Sequence, residues 1–191
     1  MAKKKTGRPK FGFFVFDFPS DHEIDGHLLS ESDAIKAVLS NRKLGTRLKS
    51  VRCTTTDSFV AIPKRRYPGI KFVHLGGHAS PTGLGFIGGS VKWADVAAKL
   101  CEMFPPLADR EERVMTLSCC HSKHGVDAMG KLLKGRFTAI YFFRPESVGF
   151  STAIATWSMF YLKKRLSNPL SAIMKDINSF MKEEIICMKA I

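Results

Sequence analysis

Two stretches of this sequence place reactive side chains directly after an apolar run. Gly76-Gly77-His78-Ala79-Ser80 follows the run at 69–75, and Cys119-Cys120-His121-Ser122 follows the run at 113–118. A cysteine attacks as its thiolate, and a neighbouring imidazole and the positive end of a following helix both favour that form. Cys120 can have both, with His78 as its base. Gly76 and Gly77 let backbone pass close to a substrate, and the amides after His78 and at Cys120 can face an oxyanion developing on a carbonyl. The matching reaction is acyl transfer.

For this chemistry to occur, the fold must bring 78 and 120 together, and the elements that would do so are legible. The dense aromatic and Val run at 11–18, closed by Pro19, reads as a buried strand. Ile35, Val38 and Leu39 form the stripe of a helix over 33–40, with Ser30 or Ser32 as its cap and Gly45 beyond its end. A second strand near 48–55, a helical turn at 58–64 and a third strand at 69–75 follow. A glycine-rich loop or short hairpin is expected at 83–89. A helix over 93–104 stops before Pro105-Pro106, a fourth strand spans 113–118, and a helix over 126–133 is closed by Gly135. A fifth strand spans 137–143, and two helices, 150–165 and about 170–189, flank Pro169.

Strands alternating with helices at this pace predict an α/β fold, a mostly parallel sheet covered on both faces and joined by right-handed crossovers. Ligands on such sheets bind beyond the carboxyl ends of the strands. By that rule the ends of the third and fourth strands are where chemistry belongs.

The totals narrow the class. A chain of 191 residues fits one core, and 45% apolar with 25% charged residues is ordinary globular composition. The formal net charge is +13, with Lys3, Lys4, Lys5, Arg8 and Lys10 concentrated in the first ten residues. Residues 1–10 therefore read as a disordered basic tail and 11–191 as a single domain. Five cysteines, at 53, 101, 119, 120 and 187, lack the even number of a disulfide framework, so reduced thiols in a cytoplasmic setting are expected. The opening residues have no signal-peptide cleavage site, and no window approaches the ~18 uncharged apolar residues of a membrane span. A soluble protein without membrane association is the expectation.

The segment Phe72-Val-His-Leu-Gly-Gly-His78, followed some forty residues later by Leu117-Ser-Cys-Cys120-His-Ser122, resembles the His and Cys motifs of the CHAT peptidases, relatives of caspases, metacaspases and separase. The likeness extends through 135–166, with Pro145 in a polar turn and Phe160-Tyr161 on the following helix, and covers roughly two-thirds of the chain. It implies a caspase-like three-layer α/β/α sandwich and a bacterial source. It also implies a cysteine endopeptidase with Cys120 as nucleophile, His78 as general base and the amides of Ala79 and Cys120 as oxyanion donors. His74 matches a non-catalytic position. Ala79 stands where glycine is usual and Cys119 where alanine is usual, so the oxyanion turn departs from the family pattern.

The same resemblance puts the primary substrate pocket between the end of the first strand and the turn after the fifth, where Asp17, Asp21 and Glu146 lie. A carboxylate there favours Lys or Arg before the scissile bond, whereas Arg144 would favour an acidic residue. CHAT-like peptidases often serve bacterial antiviral defence or regulated death, which implies a protein substrate and an activating or sensor protein as partners. No cofactor is required. With no sensor domain in the sequence, control would come from a partner or from the loops near 83–89, and low activity alone is expected.

Plainer readings stand beside these. Cys53, Cys101, Cys119 and Cys187 read as core residues, His74 as a core histidine with one satisfying hydrogen bond, and His22 and His27 as loop residues. Cys119-Cys120-His121-x-x-His124, with His74 and His78, offers zinc-type ligands but fits no common zinc motif, so no metal site is assigned. The tail resembles an AT-hook, with Thr6 where an arginine should stand, which makes nucleic acid a minor partner class. A catalytically silent caspase-like adaptor and a DNA-associated protein are the rival functions. The last helix carries a generous apolar set from Ile173 to Met188, fit either for packing on the body or for docking a partner.

Overall fold

A computed structural model describes residues 12–19, 31–40, 47–165 and 168–191. The basic tail, Asp21, His22 and His27 lie outside the described residues. In chain order the elements are β1 (Gly12–Phe18), α1 (Glu31–Leu39), β2 (Arg47–Arg52), α2 (Thr56–Val60), β3 (Ile70–Gly77), β4 (Ala79–Ser80), β5 (Gly83–Phe86), β6 (Gly89–Lys92), α3 (Trp93–Met103), β7 (Val114–Ser118), α4 (Ser122–Leu133), β8 (Ala139–Phe143), α5 (Phe150–Arg165), α6 (Leu170–Met181) and β9 (Ile186–Ala190).

The main sheet has the order β2-β1-β3-β7-β8-β9, parallel throughout except for β9, which runs antiparallel to β8. The pleat explains why β1 is apolar along its whole length: alternate residues feed two different cores. Phe14, Phe16 and Phe18 join Leu100 of α3 and Met129 of α4 on one face. Phe13 and Val15 join Ile35 of α1, Trp157 of α5 and Ile173 of α6 on the other. This is the three-layer α/β/α sandwich expected. The glycine-rich segment after β3 forms a small antiparallel sheet, β4-β5-β6.

Several boundaries differ from the sequence reading: the turn expected at 58–64 is a helix over Thr56–Val60, the second strand ends at Arg52, and Ser32 lies inside α1 rather than capping it. Two further shifts have a local cause. Helix α4 begins at Ser122 rather than 126, because Ser122 is drawn into the core with its hydroxyl bonded back to Leu117 O (3.3 Å). The helix expected over 170–189 ends at Met181, and the chain returns as β9. Lys182 takes a left-handed turn (φ 57°), after which Asn178 acts like a strand partner for Ile186. Its Oδ1 accepts from Ile186 N (2.9 Å) and its Nδ2 donates to Ile186 O (3.0 Å). The apolar run 185–188 has a helical spacing, but pairing with β8 buries Ile185 and Ile186 and satisfies the ladder, and that tertiary gain overrides local preference.

Candidate active site

Strands β3 and β7 are parallel neighbours, with Gly76 opposite Ser118. The residues that follow, Gly77-His78 and Cys119-Cys120, therefore leave the sheet side by side at its carboxyl edge, where such sheets hold ligands. A cavity of about 280 Å³ opens there, and both His78 and Cys120 line it. His78 is exposed and Cys120 half-buried.

The turn between β7 and α4 is tight. His121 adopts a left-handed conformation (φ 53°), and its amide donates to Glu146 O (2.6 Å), tying the segment after β8 to the start of α4. Next to it, the Cys120 sulfur reaches Ser147 Oγ at 3.9 Å and Val148 O at 4.0 Å. Cys120 thus lies two residues before α4, near that helix's positive end.

The paired glycines have a steric reason. A Cβ on Gly76 would stand 2.7 Å from Glu31 Oε2 and 2.9 Å from His74 Nε2, and one on Gly77 would stand 2.7 Å from both Cβ and O of Phe18. Only a residue without a side chain fits between β1, α1 and the cavity.

The two adjacent cysteines have opposite environments. Cys119 is 5% exposed in the core, with its sulfur 3.6 Å from Ser122 Oγ, and burial pushes its thiol up to about 12. Burial likewise raises Cys53, to about 11, and Cys101. All five cysteines are free. At neutral pH Cys119 and Cys53 are held as thiols, which leaves them poor nucleophiles.

The cavity has apolar walls, from Phe18, Phe143, Val148, Phe150 and Ala153, and two acids, Asp17 and Glu31. Both acids are nearly sealed, at 6% and 7% exposure. Arg52 Nε donates to Asp17 Oδ2 (2.6 Å), and the Asp17 hydrogen bond is the main reason that the guanidinium pKa is raised. Glu31 Oε1 accepts from Ser118 Oγ (2.6 Å) and lies 3.6 Å from His74 Nε2.

Behind Glu31 a line of buried polar groups crosses to α5. Tyr161 Oη and Thr116 Oγ1 are 2.6 Å apart, and Thr116 Oγ1 and His74 Nδ1 are 2.8 Å apart. With Tyr161 donating to Thr116 and Thr116 donating to Nδ1, Nε2–H faces the Glu31 carboxylate at 3.6 Å, beyond hydrogen-bond distance. Burial pushes the Tyr161 hydroxyl well up, so it remains a donor.

Of the residues expected from sequence, His78, Cys120 and Asp17 line one cavity. Ala79 follows His78 directly into β4, opposite Leu84, and is half-buried. Glu146, expected at the substrate pocket, is exposed and does not line the cavity; its carboxylate faces His121 and His124 instead, because the His121 amide holds the backbone there. Arg144 is exposed and paired with Glu184. Sequence reasoning missed Glu31. Its one signal is an acid in the first turn of a helix, a position that ordinarily reads as dipole complementation. Among the described residues, no helix is long and apolar enough to cross a membrane.

No family model and no curated protein matches this sequence. Among solved structures, the Arg-specific cysteine proteinase gingipain R is similar, with a TM-score of 0.55 at 10% identity. The match covers 91% of this chain and 43% of the proteinase chain, so this chain spans less than half its length. The chain therefore has a caspase-like α/β fold.

Proposed function

We propose that this chain is a cysteine endopeptidase in which Cys120 is the nucleophile and His78 the general base. The observation that carries the reading is that the half-buried thiol at the end of β7 and the exposed imidazole after β3 line one cavity. The Cys120 thiolate adds to the scissile carbonyl, and the amides of Ala79 and Cys120 receive the oxyanion. The C–N bond breaks as the His78 imidazolium gives its proton to the departing amine. Water, deprotonated by His78, then hydrolyses the thioester and restores the thiol.

The side chain before the scissile bond is Lys or Arg in this reading. Glu31 and Asp17, the acids in the lining of an apolar-walled cavity, match a long cationic side chain, its methylenes against Phe18 and Phe150 and its charge toward Glu31, since Asp17 already holds Arg52. The arginine specificity in the name of gingipain R agrees with this. The His and Cys motifs support a narrower assignment to the CHAT type, with a protein substrate, a sensor or activating partner and a role in bacterial defence.

The test is labelling with a thiol-reactive peptide probe bearing Arg next to its reactive group. Cys120→Ala should abolish labelling, while Cys119→Ala should leave it largely intact. Equal labelling of the two variants would remove Cys120 from the role, and no labelling of the wild type under any activating condition would favour the silent adaptor.

A further inference from the structure

His121, His124 and Glu146 meet on the surface beside the cavity. One ligand atom from each lies within 4.8 Å of the other two. The first two come from the left-handed turn and first turn of α4, and His124 N donates to His121 O (3.0 Å). The third arrives because the His121 amide holds Glu146 O at 2.6 Å. Nδ1 of His121 is sealed from solvent and has no hydrogen-bond partner among the described residues. Buried polar nitrogens are normally paired. An imidazole in that state, beside a second imidazole and an exposed carboxylate, has the makings of a cation site.

We propose that His121, His124 and Glu146 bind a divalent transition ion of the zinc type. Two imidazoles and one carboxylate are a ligand set that zinc accepts with a fourth position left to water. The imidazoles disfavour calcium and magnesium, which take oxygen ligands. Tetrahedral bonds of about 2.0–2.1 Å put ligand atoms roughly 3.4 Å apart, so modest rotations of His124 and Glu146, both exposed, close the site. Sequence spacing alone pairs only the two histidines. The fold adds the carboxylate from across the turn.

The ion ties two segments together. Glu146 is followed by Ser147 and Val148, which contact the Cys120 sulfur, and Val148 lines the cavity. Zinc at this site therefore clamps one wall of the cavity to the start of α4. The site stands whether or not Cys120 is a catalytic residue.

The experiment is zinc titration of the chelator-treated full chain by calorimetry, with cobalt as a spectroscopic substitute. One zinc per chain is expected, with no thiolate-to-cobalt charge-transfer band, and affinity should survive in the Cys120→Ala, His78→Ala double variant. Changing a residue that merely orients a zinc ligand costs roughly 10–100-fold in affinity. His124→Ala and Glu146→Gln should each cost at least about tenfold, as should His121→Asn, which tolerates the left-handed turn. Zinc should also slow amide exchange in 144–149 of the wild type and not of Glu146→Gln. Loss of binding in the double variant would move the ion to the thiol and overturn the site. So would undiminished binding in His124→Ala and Glu146→Gln, or an absence of zinc binding.

Discussion

Ser118 and Glu31, 87 positions apart in sequence, are joined by a buried hydrogen bond of 2.6 Å, the hydroxyl donating to Oε1. Ser118 is the last residue of the strand that delivers Cys120, and Glu31 opens the helix on the opposite layer. One bond thus ties an acid of the cavity lining to the strand that leads to the Cys120 thiol.

Glu31→Gln keeps the shape of that contact and removes the charge. For peptides that differ only in the residue before the scissile bond, the preference for Arg over a neutral side chain of similar length should fall by about tenfold or more, since charge-assisted bonds are about twice as strong as neutral ones. Ratios of kcat/KM measure this. An unchanged ratio would take Glu31 out of substrate selection.

His78→Ala should lower the rate of peptide cleavage by about 10²–10⁴-fold, the usual contribution of a positioned base. Thiol labelling of the same variant should be slow at neutral pH and recover as pH rises, because hydroxide then does what the imidazole did. A variant whose labelling has the wild-type pH profile would show that His78 does not activate the sulfur.

Cys119 makes a prediction about stability in alkali. Folded, its thiol keeps its proton up to about 12; unfolded, it ionises near 8.5. Between those values the unfolded chain binds fewer protons, so stability is full below the lower value and falls as pH rises toward the upper. Cys53, at about 11, acts in the same sense. Urea unfolding of wild type and Cys119→Ala at several pH values from about 8 to about 10 should show a shallower loss in the variant, by up to about 1.4 kcal/mol per pH unit. Parallel slopes would contradict the burial argument.

Gly77→Ala should destabilise the chain by about 1–3 kcal/mol, since the new methyl meets Phe18 backbone at 2.7 Å and the strand must shift. The same shift moves His78, so activity should drop more than stability explains. Chemical unfolding and turnover on one preparation separate the two effects.

The parallel sheet was legible because its strands are buried on both faces and so read as unbroken apolar runs, 11–18 and 113–118 above all. The cavity was legible at His78 and Cys120 because each directly follows such a run. Glu31 was not, since a carboxylate in the first turn of a helix ordinarily serves the dipole and nothing local shows that this one is turned toward β7. Asp17 was expected in the pocket and lines it, but its pairing with Arg52 depends on the parallel register that sets β1 beside β2. The final strand was missed because 185–188 fits a helical stripe as well as a strand. Only Asn178 and the free edge of β8 decide between them.

That final strand braces the cavity from a distant part of the sequence. Arg144 N donates to Ile185 O (2.9 Å), and β8 gains its outer neighbour from Ile186–Ala190. The segment after β8 is thus gripped at both ends, by Ile185 O at Arg144 and by the His121 amide at Glu146, so one wall of the cavity leans on a strand more than forty residues further along the chain.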